Sequence, residues 1–371
     1  MRIAVAGGGT AGHVWPVIAT ASALKDKDAD LELLYLGGGT PEEGLAREAG
    51  LEFRRIKTGK MRRYGRWWYL DPGQILANLR DVSRVLIGVV QSALILGRWR
   101  PEVVFAKGGY AAFPVAIAAS LLRIPIVIHE SDRVMGLSNK ILRRLASRVA
   151  VSVSGGSDPK ETLTGNPIRP EILKAKQQDF FKGEGSGLPT VLVVGSHQGA
   201  RVINEALWGA LPELLRESRV IHITGVRDGA ETEELARELP SEVRGRYFHP
   251  EFLTKEYGSA LQAADLVVTR GGAGALAEAA ACGKPMLIIP LPHAAGNHQM
   301  VNARHCEEQG AAVVLEQAEL SSSRLSEIVM GLLHDRSRRA LMAEKAMALG
   351  RPGAADKLAQ LIMAVAQEKS D

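Results

Sequence analysis

Cysteine is scarce in this chain of 371 residues, which contains only Cys282 and Cys306. Two cysteines so far apart form neither a disulfide framework nor a Cys-x-x-Cys metal pair, so we expect buried thiols in a reducing compartment. Aromatic residues are also few, at 5% of the chain, whereas 46% of the residues are hydrophobic and 23% are charged. This balance is typical of a folded globular protein, and the length predicts about two domains.

Long apolar runs and a secretory signal are absent from the sequence. Residues 111–122 form one of the longest apolar runs, and they fall short of the roughly 20 residues that cross a bilayer. Arg2 is followed by four apolar residues and then by glycines, which does not fit a signal peptide. No cluster of aspartates or Asp-x-Asp motif beside the glycine-rich turns suggests a cation clamp. We therefore expect a cytoplasmic protein without a membrane span, a metal or another cofactor.

A glycine-rich turn, GGGTAGH, occupies residues 7–13, between an apolar strand and a helix that we expect to start near Pro16. Glycine has no Cβ, so backbone N–H groups in such a turn can face an anion, and the turn predicts a phosphate or pyrophosphate site. The turn also matches the dinucleotide-binding pattern GxGxxG. However, the second predicted strand runs into three glycines where that pattern needs an acidic residue for the ribose. A dinucleotide-dependent oxidoreductase is therefore disfavoured.

Apolar strands alternate with amphipathic helices along the whole chain, which predicts α/β domains with parallel sheets covered on both faces. Residues 154–170 are rich in Gly, Ser, Pro and Thr and are interpreted as a domain crossover, and residues 177–189 as a surface loop. The simplest architecture is two doubly wound domains that face each other across a cleft. The predicted strands are residues 2–6, 31–36, 103–106, 126–129 and 149–153 in the first domain, and 190–194, 220–224, 246–249, 266–269, 286–289 and 312–315 in the second.

Glycine-rich turns follow predicted strands at residues 7–13, 107–110, 195–200 and 270–274. Parallel strands bring their carboxyl ends to one edge, so such turns in both domains favour a site for more than one phosphate. Glu278 follows the last turn by about one helical turn, where its carboxylate can accept the two hydroxyls of a ribose or only serve the helix dipole. Arg169 can hold a diphosphate or be an ordinary surface arginine.

The formal net charge is +5, and basic residues concentrate in one acid-free segment that ends in a tryptophan pair. Basic and indole side chains beside an apolar helix, predicted over residues 75–96, are typical of a surface that binds anionic lipid headgroups. A solvated loop beside a core helix and a nucleic-acid site are the alternatives, and the neighbouring aliphatic residues disfavour nucleic acid. The candidate membrane-binding residues are Arg62, Arg63, Arg66, Trp67 and Trp68.

Seven segments occur in one order along the chain: GGGTAGHVWP, GGYAAFP, HES, GNPIR, the turn ending in QGA, RGGAGALAE and NHQMVNA. Together they resemble the MurG family, glycosyltransferase family 28, over nearly the whole chain. The resemblance implies the GT-B fold, made of two Rossmann-like domains. Residues 1–165 would bind acceptor and membrane, with the helix of residues 352–371 packed back on them, and residues 166–351 would bind UDP-N-acetylglucosamine.

The same resemblance implies an inverting, metal-independent hexosyl transfer. N-acetylglucosamine would pass from UDP to the C4 hydroxyl of undecaprenyl-pyrophosphoryl-N-acetylmuramyl pentapeptide, lipid I, to give lipid II in peptidoglycan synthesis. This step serves cell-wall biogenesis and, through it, cell shape and cell division. It implies a peripheral location on the cytoplasmic face of the inner membrane, an anionic membrane surface and cell-wall synthesis proteins as partners, and no nucleic acid.

The resemblance also implies which residues contact the substrates. Glu278 would hold the ribose hydroxyls, Gln299 the sugar hydroxyls and Leu253 the uracil through its backbone. The implied acceptor site includes Gly108, Gly109 and Tyr110. The remaining implied donor contacts are Thr10, Ala11, Gly12, Asp132, Arg169, His197, Ala273, Gly274, Ala275, Leu276 and Ala277.

His13 falls at the position of the family's proposed general base. Its place beside a helix N-terminus disfavours the imidazolium form and so keeps a neutral base available, whereas a merely local or positioning role is the alternative. Glu130 is the rival base. Three positions depart from the family pattern, because Asp132 replaces an asparagine, His197 a serine and Ala275 a small hydroxyl residue.

Three other functions fit the same architecture. The chain could be a GT-B transferase for another lipid, such as diacylglycerol, or a UDP-N-acetylglucosamine 2-epimerase. The basic tryptophan-rich segment disfavours the epimerase, which needs no lipid. A nucleotide-sugar-binding protein without catalysis is the third alternative, because the three departures concern recognition of the donor sugar.

Overall fold

The computed structural model describes residues 1–9, 11–40, 42–60, 71–153, 158–195 and 198–368, with the backbone alone for Ala11 and Ala295. Within these ranges the chain divides into two compact units. The first unit contains Met1–Arg169 and Gly353–Asp371, and the second contains Pro170–Pro352. The division thus falls four residues beyond the predicted boundary after residue 165, at the end of the GNPIR segment.

The first unit is built on a seven-stranded parallel sheet. Its strands are β1 (Arg2–Ala6), β2 (Glu32–Gly37), β3 (Glu52–Arg55), β4 (Val103–Ala106), β5 (Ile126–Glu130), β6 (Arg148–Val151) and β7 (Glu161–Leu163). Their order is β3-β2-β1-β4-β5-β6-β7, with every neighbouring pair parallel. The central strands are buried on both faces, which explains why they read as continuous apolar runs.

Helices cover both faces of this sheet. They are α1 (Ala11–Lys27), α2 (Glu42–Glu48), α3 (Pro72–Trp99), α4 (Gly109–Leu121) and α5 (Leu137–Leu142). One face packs Ala4, Val104 and Ile128 against α3, α4 and α5. The other face packs Ile3 and Val5 against α1, and the C-terminal helix of the chain completes the cover of this face.

The second unit contains a six-stranded parallel sheet in the order β10-β9-β8-β11-β12-β13. Its strands are β8 (Thr190–Val194), β9 (Arg219–Ile223), β10 (Tyr247–Phe248), β11 (Leu266–Thr269), β12 (Met286–Ile288) and β13 (Ala312–Val314). Its helices are α6 (Pro170–Lys174), α7 (Arg201–Glu217), α8 (Gly229–Glu238), α9 (Ser241–Arg244), α10 (Tyr257–Ala263), α11 (Ala273–Ala281), α12 (His298–Glu308), α13 (Ser322–His334) and α14 (Arg336–Leu349), with short 3-10 turns at Ala295–Asn297 and Gln317–Glu319. The order of strands on either side of β8 gives this sheet its doubly wound form.

The last helix, α15 (Ala354–Gln367), belongs to the first unit. Leu358, Ile362 and Val365 are buried in the same core cluster as Ile3 and Val5. Lys27 on α1 also pairs with Asp356 on α15 at 3.3 Å. The C-terminal segment therefore completes the core of the N-terminal unit.

Three local expectations were wrong. The first helix starts at Ala11 rather than near Pro16, because the fixed φ of proline is compatible with a helix and its missing N–H costs one bond near the helix start. β3 and β7 were not predicted, and β7 lies inside the segment interpreted as a crossover. Both are edge strands that bury few side chains, so neither carries an apolar run.

Candidate active site

Three loops meet at the carboxyl edge of the first sheet, where β1, β4 and β5 end side by side. The first glycine turn follows β1, and Gly108 and Gly109 follow β4. A Cβ on Gly109 would lie 2.6 Å from the carbonyl oxygen of Gly8 and 3.2 Å from Cδ2 of His13. The two glycine turns are therefore in direct contact, and His13 lies beside both of them.

Tyr110, a predicted acceptor-side residue, packs on the first turn. A Cβ on Gly9, whose φ is 95°, would lie 2.3 Å from Cε1 of the Tyr110 ring, so only glycine fits this approach. Gly12 and His13 lie in the first turn of α1, and Ala11 begins the helix. Thr10 lies outside the described residues.

Glu130 ends β5 and is almost fully buried. Its Oε1 accepts the N–H of Asp132 at 3.1 Å, and its Oε2 accepts the N–H of Gly136 and the side-chain amide of Asn139, both at 3.0 Å. Both carboxylate oxygens are thus occupied within its own loop. This geometry favours a role in holding the loop over the role of rival base.

A buried lysine, Lys107, lies under this loop. Its Nζ donates to Oγ of Ser131 at 2.6 Å, and Ser131 donates to Oδ1 of Asn166 at 3.0 Å. Burial lowers the pKa of Lys107, and the charges of Glu130 and Asp132 oppose that shift. Lys107 was not among the predicted site residues, although a lysine at the end of an apolar strand is the signal that could have found it.

His129 is fully buried on β5, and its Nε2 lies 2.9 Å from the carbonyl oxygen of Gly165. Burial, with the nearby charge of Lys107, lowers the pKa of His129 well below its ordinary value. A neutral ring that donates from Nε2 to this carbonyl follows from both observations. His129 therefore connects β5 to the segment that leads to Arg169.

Arg169 is the last residue of the first unit, and its guanidinium lies 4.5 Å from the centre of the Trp15 ring. Trp15 is on α1, two residues after His13. The predicted donor residue Arg169 therefore contacts the end of α1 that carries the predicted base His13.

α3 carries an unusually apolar exposed surface. Asp71 caps its start by accepting the N–H of Gly73 at 2.9 Å, and the helix runs 28 residues to Trp99. Eight of its large hydrophobic side chains are exposed, namely Ile75, Leu76, Leu79, Val82, Leu86, Ile87, Val90 and Leu94. The predicted membrane-binding residues Arg62, Arg63, Arg66, Trp67 and Trp68 lie outside the described residues, just before this helix. Among the helices that the structure describes, none is both long and apolar enough to cross a bilayer.

In the second unit, β11 ends in a turn that contacts α12. A Cβ on Gly271 would lie 2.3 Å from the carbonyl oxygen of Gln299, and Asn302 donates to the carbonyl oxygen of Gly271 at 3.1 Å. Oε1 of Gln299 accepts the N–H of Leu291 at 2.9 Å. The structure thus brings the predicted donor residue Gln299 directly onto the turn that opens α11.

The first turn of α11 has no side chain that caps it. Gly272 precedes the helix, and Ala273, Gly274, Ala275 and Ala277 are small and partly exposed, whereas Leu276 is buried. Glu278 lies three and four residues after Ala275 and Gly274, so it shares their face of the helix. An open helix N-terminus above a carboxylate can bind an anion and a diol together.

Two other predicted donor residues, Leu253 and His197, belong to other segments of the second unit. Leu253 is half-buried in the loop between β10 and α10. The N–H of Gly225, just after β9, donates to the backbone carbonyl oxygen of Glu251 in this loop at 2.9 Å. His197 lies outside the described residues. Arg270 was not predicted, and it donates to the carbonyl oxygen of Ile289 at 3.0 Å, so it holds the loop after β12 against β11.

Two family models match the chain. The glycosyltransferase family 28 N-terminal domain matches residues 3–151, and the glycosyltransferase family 28 C-terminal domain matches residues 190–358. The chain is 35% identical over 373 residues to the UDP-N-acetylglucosamine–N-acetylmuramyl-(pentapeptide) pyrophosphoryl-undecaprenol N-acetylglucosamine transferase of Listeria monocytogenes serovar 1/2a, covering 98% of this chain and 99% of that protein.

Solved structures share the fold. The crystal structure of MurG from Acinetobacter baumannii is 24% identical, with a TM-score of 0.75 over 98% of this chain and 99% of that one. A UDP-N-acetylglucosamine 2-epimerase is 12% identical, with a TM-score of 0.68 over 100% and 97%. Two Rossmann-like domains of the GT-B type are thereby confirmed. A named relative is 35% identical over nearly the full length of the chain, and family models match both domains. This chain therefore belongs to glycosyltransferase family 28, among the MurG transferases.

Proposed function

We propose that this protein transfers N-acetylglucosamine from UDP-N-acetylglucosamine to the C4 hydroxyl of lipid I, giving lipid II and UDP. The observation that carries the proposal is the 35% identity to a transferase of that name over both units of the chain. The glycine turns and His13 of the first unit and Glu278 of the second unit are our candidates for the separate chemical tasks.

The acceptor oxygen must lose a proton as it attacks the anomeric carbon. In this proposal the C4 oxygen forms a bond to that carbon, the bond from the carbon to the β-phosphate oxygen breaks, and UDP leaves with inversion. His13 takes the proton, because it lies beside the glycine turns of the acceptor unit and Glu130 is engaged in its own loop. Gly108, Gly109 and Tyr110 shape the acceptor side.

The donor must be held and its leaving group stabilised. We assign the ribose hydroxyls to Glu278, the sugar hydroxyls to Gln299 and the uracil to the backbone of Leu253. Backbone N–H groups at the open start of α11 and the guanidinium of Arg169 bear the diphosphate charge that grows as UDP leaves.

The acceptor is lipid-linked, and α3 supports a membrane-binding surface for it. Its exposed hydrophobic face and the preceding basic residues form the combination that inserts between anionic headgroups. We propose that the protein binds peripherally to the cytoplasmic face of the inner membrane through this surface.

A direct test incubates the purified protein with labelled UDP-N-acetylglucosamine and lipid I in detergent, with EDTA present. Formation of labelled lipid II is expected, and the EDTA arm tests the prediction that no metal is needed. Parallel reactions replace lipid I with diacylglycerol or omit the acceptor. Transfer to diacylglycerol instead of lipid I, or release of a 2-epimerised sugar without acceptor, would replace the proposal with one of the alternatives named above.

A further inference from the structure

A buried carboxylate, Glu42, ties together two glycine turns of the first unit. Its side chain is 3% exposed at the start of α2. Oε1 accepts the N–H of Gly9, and Oε2 accepts the N–H of Gly38, each at 2.6 Å. Gly9 follows β1 and Gly38 follows β2, so one side chain joins the loops of neighbouring strands.

The fit around this carboxylate is tight. A Cβ on Gly8 would lie 2.1 Å from Oε1 of Glu42, so the carboxylate occupies the space that a side chain on Gly8 would need. The carbonyl oxygen of Gly8 in turn packs against Gly109, which lies against His13. A continuous series of contacts therefore leads from Glu42, through the first glycine turn, to the predicted base.

The two hydrogen bonds favour the carboxylate form of the side chain. Two backbone N–H groups donate to two different oxygens, which a carboxylate can accept and a side-chain amide cannot, because its nitrogen is a donor. Burial raises the pKa of Glu42, while the N–H groups of Gly9, Gly38 and Gly39 oppose that shift. Burying a carboxylate is costly unless it is fully hydrogen-bonded, so this arrangement is held in one geometry.

We infer that Glu42 is a positioning residue for the transfer reaction, acting through the first glycine turn to place His13 and the acceptor-side edge of the turn. This inference rests on the proposed function. The contacts of Glu42 lead to His13, whereas the residues assigned to the ribose and the uracil, Glu278 and Leu253, belong to the second unit, so its effect should fall on turnover rather than on binding of UDP.

Glu42→Gln tests this inference, with Glu43→Gln as the matched control. Glu43 is the next residue of the same helix turn, but its side chain pairs with Arg47 at 2.9 Å and Arg55 at 3.1 Å on the outside. For folded Glu42→Gln we expect kcat to fall by roughly 10- to 100-fold, as for a misplacement of about an ångström, with the Kd for UDP within about twofold of the wild type. Glu43→Gln should keep both values.

A second readout does not depend on activity. The ring signals of His13 in a spectrum of labelled histidine, assigned with His13→Gln, should shift in Glu42→Gln and stay in place in Glu43→Gln. If Glu42→Gln does not fold, Glu42→Asp, which keeps both acceptor oxygens, is measured in the same two ways and should show a smaller loss of kcat with a shifted His13 signal.

The outcomes separate the inference from the proposed function. An active wild type with an equally active, folded Glu42→Gln and an unmoved His13 signal would overturn the role of Glu42. A loss of kcat that merely follows the unfolded fraction would overturn it as well. A wild-type protein that binds UDP but makes no lipid II would refute the proposed function, and the His13 spectrum would still decide whether Glu42 positions that ring.

Discussion

The guanidinium of Arg169 stacks on the indole of Trp15, 4.5 Å from the ring centre. A cation above an aromatic face gains about 0.5–2 kcal/mol, depending on how far the pair is desolvated. Trp15→Leu should therefore weaken UDP binding by roughly 3- to 10-fold, while Trp15→Phe should weaken it less. Isothermal titration with UDP measures both. In an Arg169→Ala background Trp15→Leu should have no further effect, and an undiminished effect there would show that the ring acts without the arginine.

His13→Ala should lower kcat by roughly 100-fold or more if the imidazole is the general base. The Kd for UDP should change little, because His13 lies on the acceptor side of the first unit. Steady-state transfer to lipid I provides the measurement, and His334→Ala, on an exposed surface of the second unit, provides the control. A loss of only a few-fold would assign the proton to another group.

Glu278 should control recognition of the ribose. Glu278→Gln keeps the size of the side chain but removes the charge that strengthens bonds from the diol, so UDP affinity should fall by roughly 10- to 100-fold. The wild type should prefer UDP to 2′-deoxyuridine diphosphate, and the variant should lose most of this preference. If the wild type and the variant discriminate equally between the two nucleotides, Glu278 does not bind the ribose and only interacts with the helix dipole.

The exposed face of α3 should decide membrane binding. We expect Leu76→Ser with Leu79→Ser and Leu86→Ser to release the protein from anionic vesicles, and charge reversal of Arg62, Arg63 and Arg66 to do the same. Transfer to a soluble acceptor analogue should persist in both variants. Leu341→Ser, which changes an exposed leucine of the second unit, is the matched control in cosedimentation. Unchanged sedimentation of the α3 variant would place membrane contact elsewhere.

His222 should make the protein less stable in acid. It is fully buried between Tyr247 and Asn204, and burial lowers its pKa to about 3. Below an unfolded pKa of about 6.5, the unfolded chain takes up a proton that the folded chain does not, so stability falls as the pH drops from about 6.5 towards 3. Between pH 7.5 and 5.0 this one group should cost about 2 kcal/mol of unfolding free energy.

Urea unfolding of the wild type and His222→Gln at both pH values tests this dependence. The variant should be less stable at pH 7.5, because its buried partners are less well satisfied, but should lose less stability on acidification. His129 shifts in the same direction and is present in both proteins, so only the difference between them reports His222. An identical loss in the two proteins would contradict the assignment.

The central strands were predictable because each is a buried apolar run that ends in a glycine turn. β1, β4, β8 and β11 begin and end where the sequence predicts, and the helix over residues 75–96 is confirmed within α3. β3 was missed because its exposed side chains are basic and acidic, so that only Phe53 is buried. Periodicity identifies strands by what they bury, and an edge strand buries little.

The parts of the site that depend on backbone conformation could be predicted from the sequence, whereas contacts between side chains distant in sequence could not. The glycine turns were found because positive φ values and close approaches require glycine. Glu42, Lys107 and Arg270 were missed, because each is a charged residue buried by partners distant in sequence. No local pattern distinguishes Glu42 from the other charged residues of α2, whereas Lys107 directly follows an apolar strand. The occupied oxygens of Glu130 likewise became visible only once its loop was folded.

α15 has a consequence for how the protein is made. The N-terminal unit is translated first, yet Leu358, Ile362 and Val365 complete the packing of one face of its sheet. On the ribosome, part of this face, beyond what α1 covers, stays without its packing partner while the whole C-terminal unit emerges. The part of the chain that is made first is thus the last to complete its core. A premature stop codon shortly before α15 would leave the core of the N-terminal unit without these three side chains.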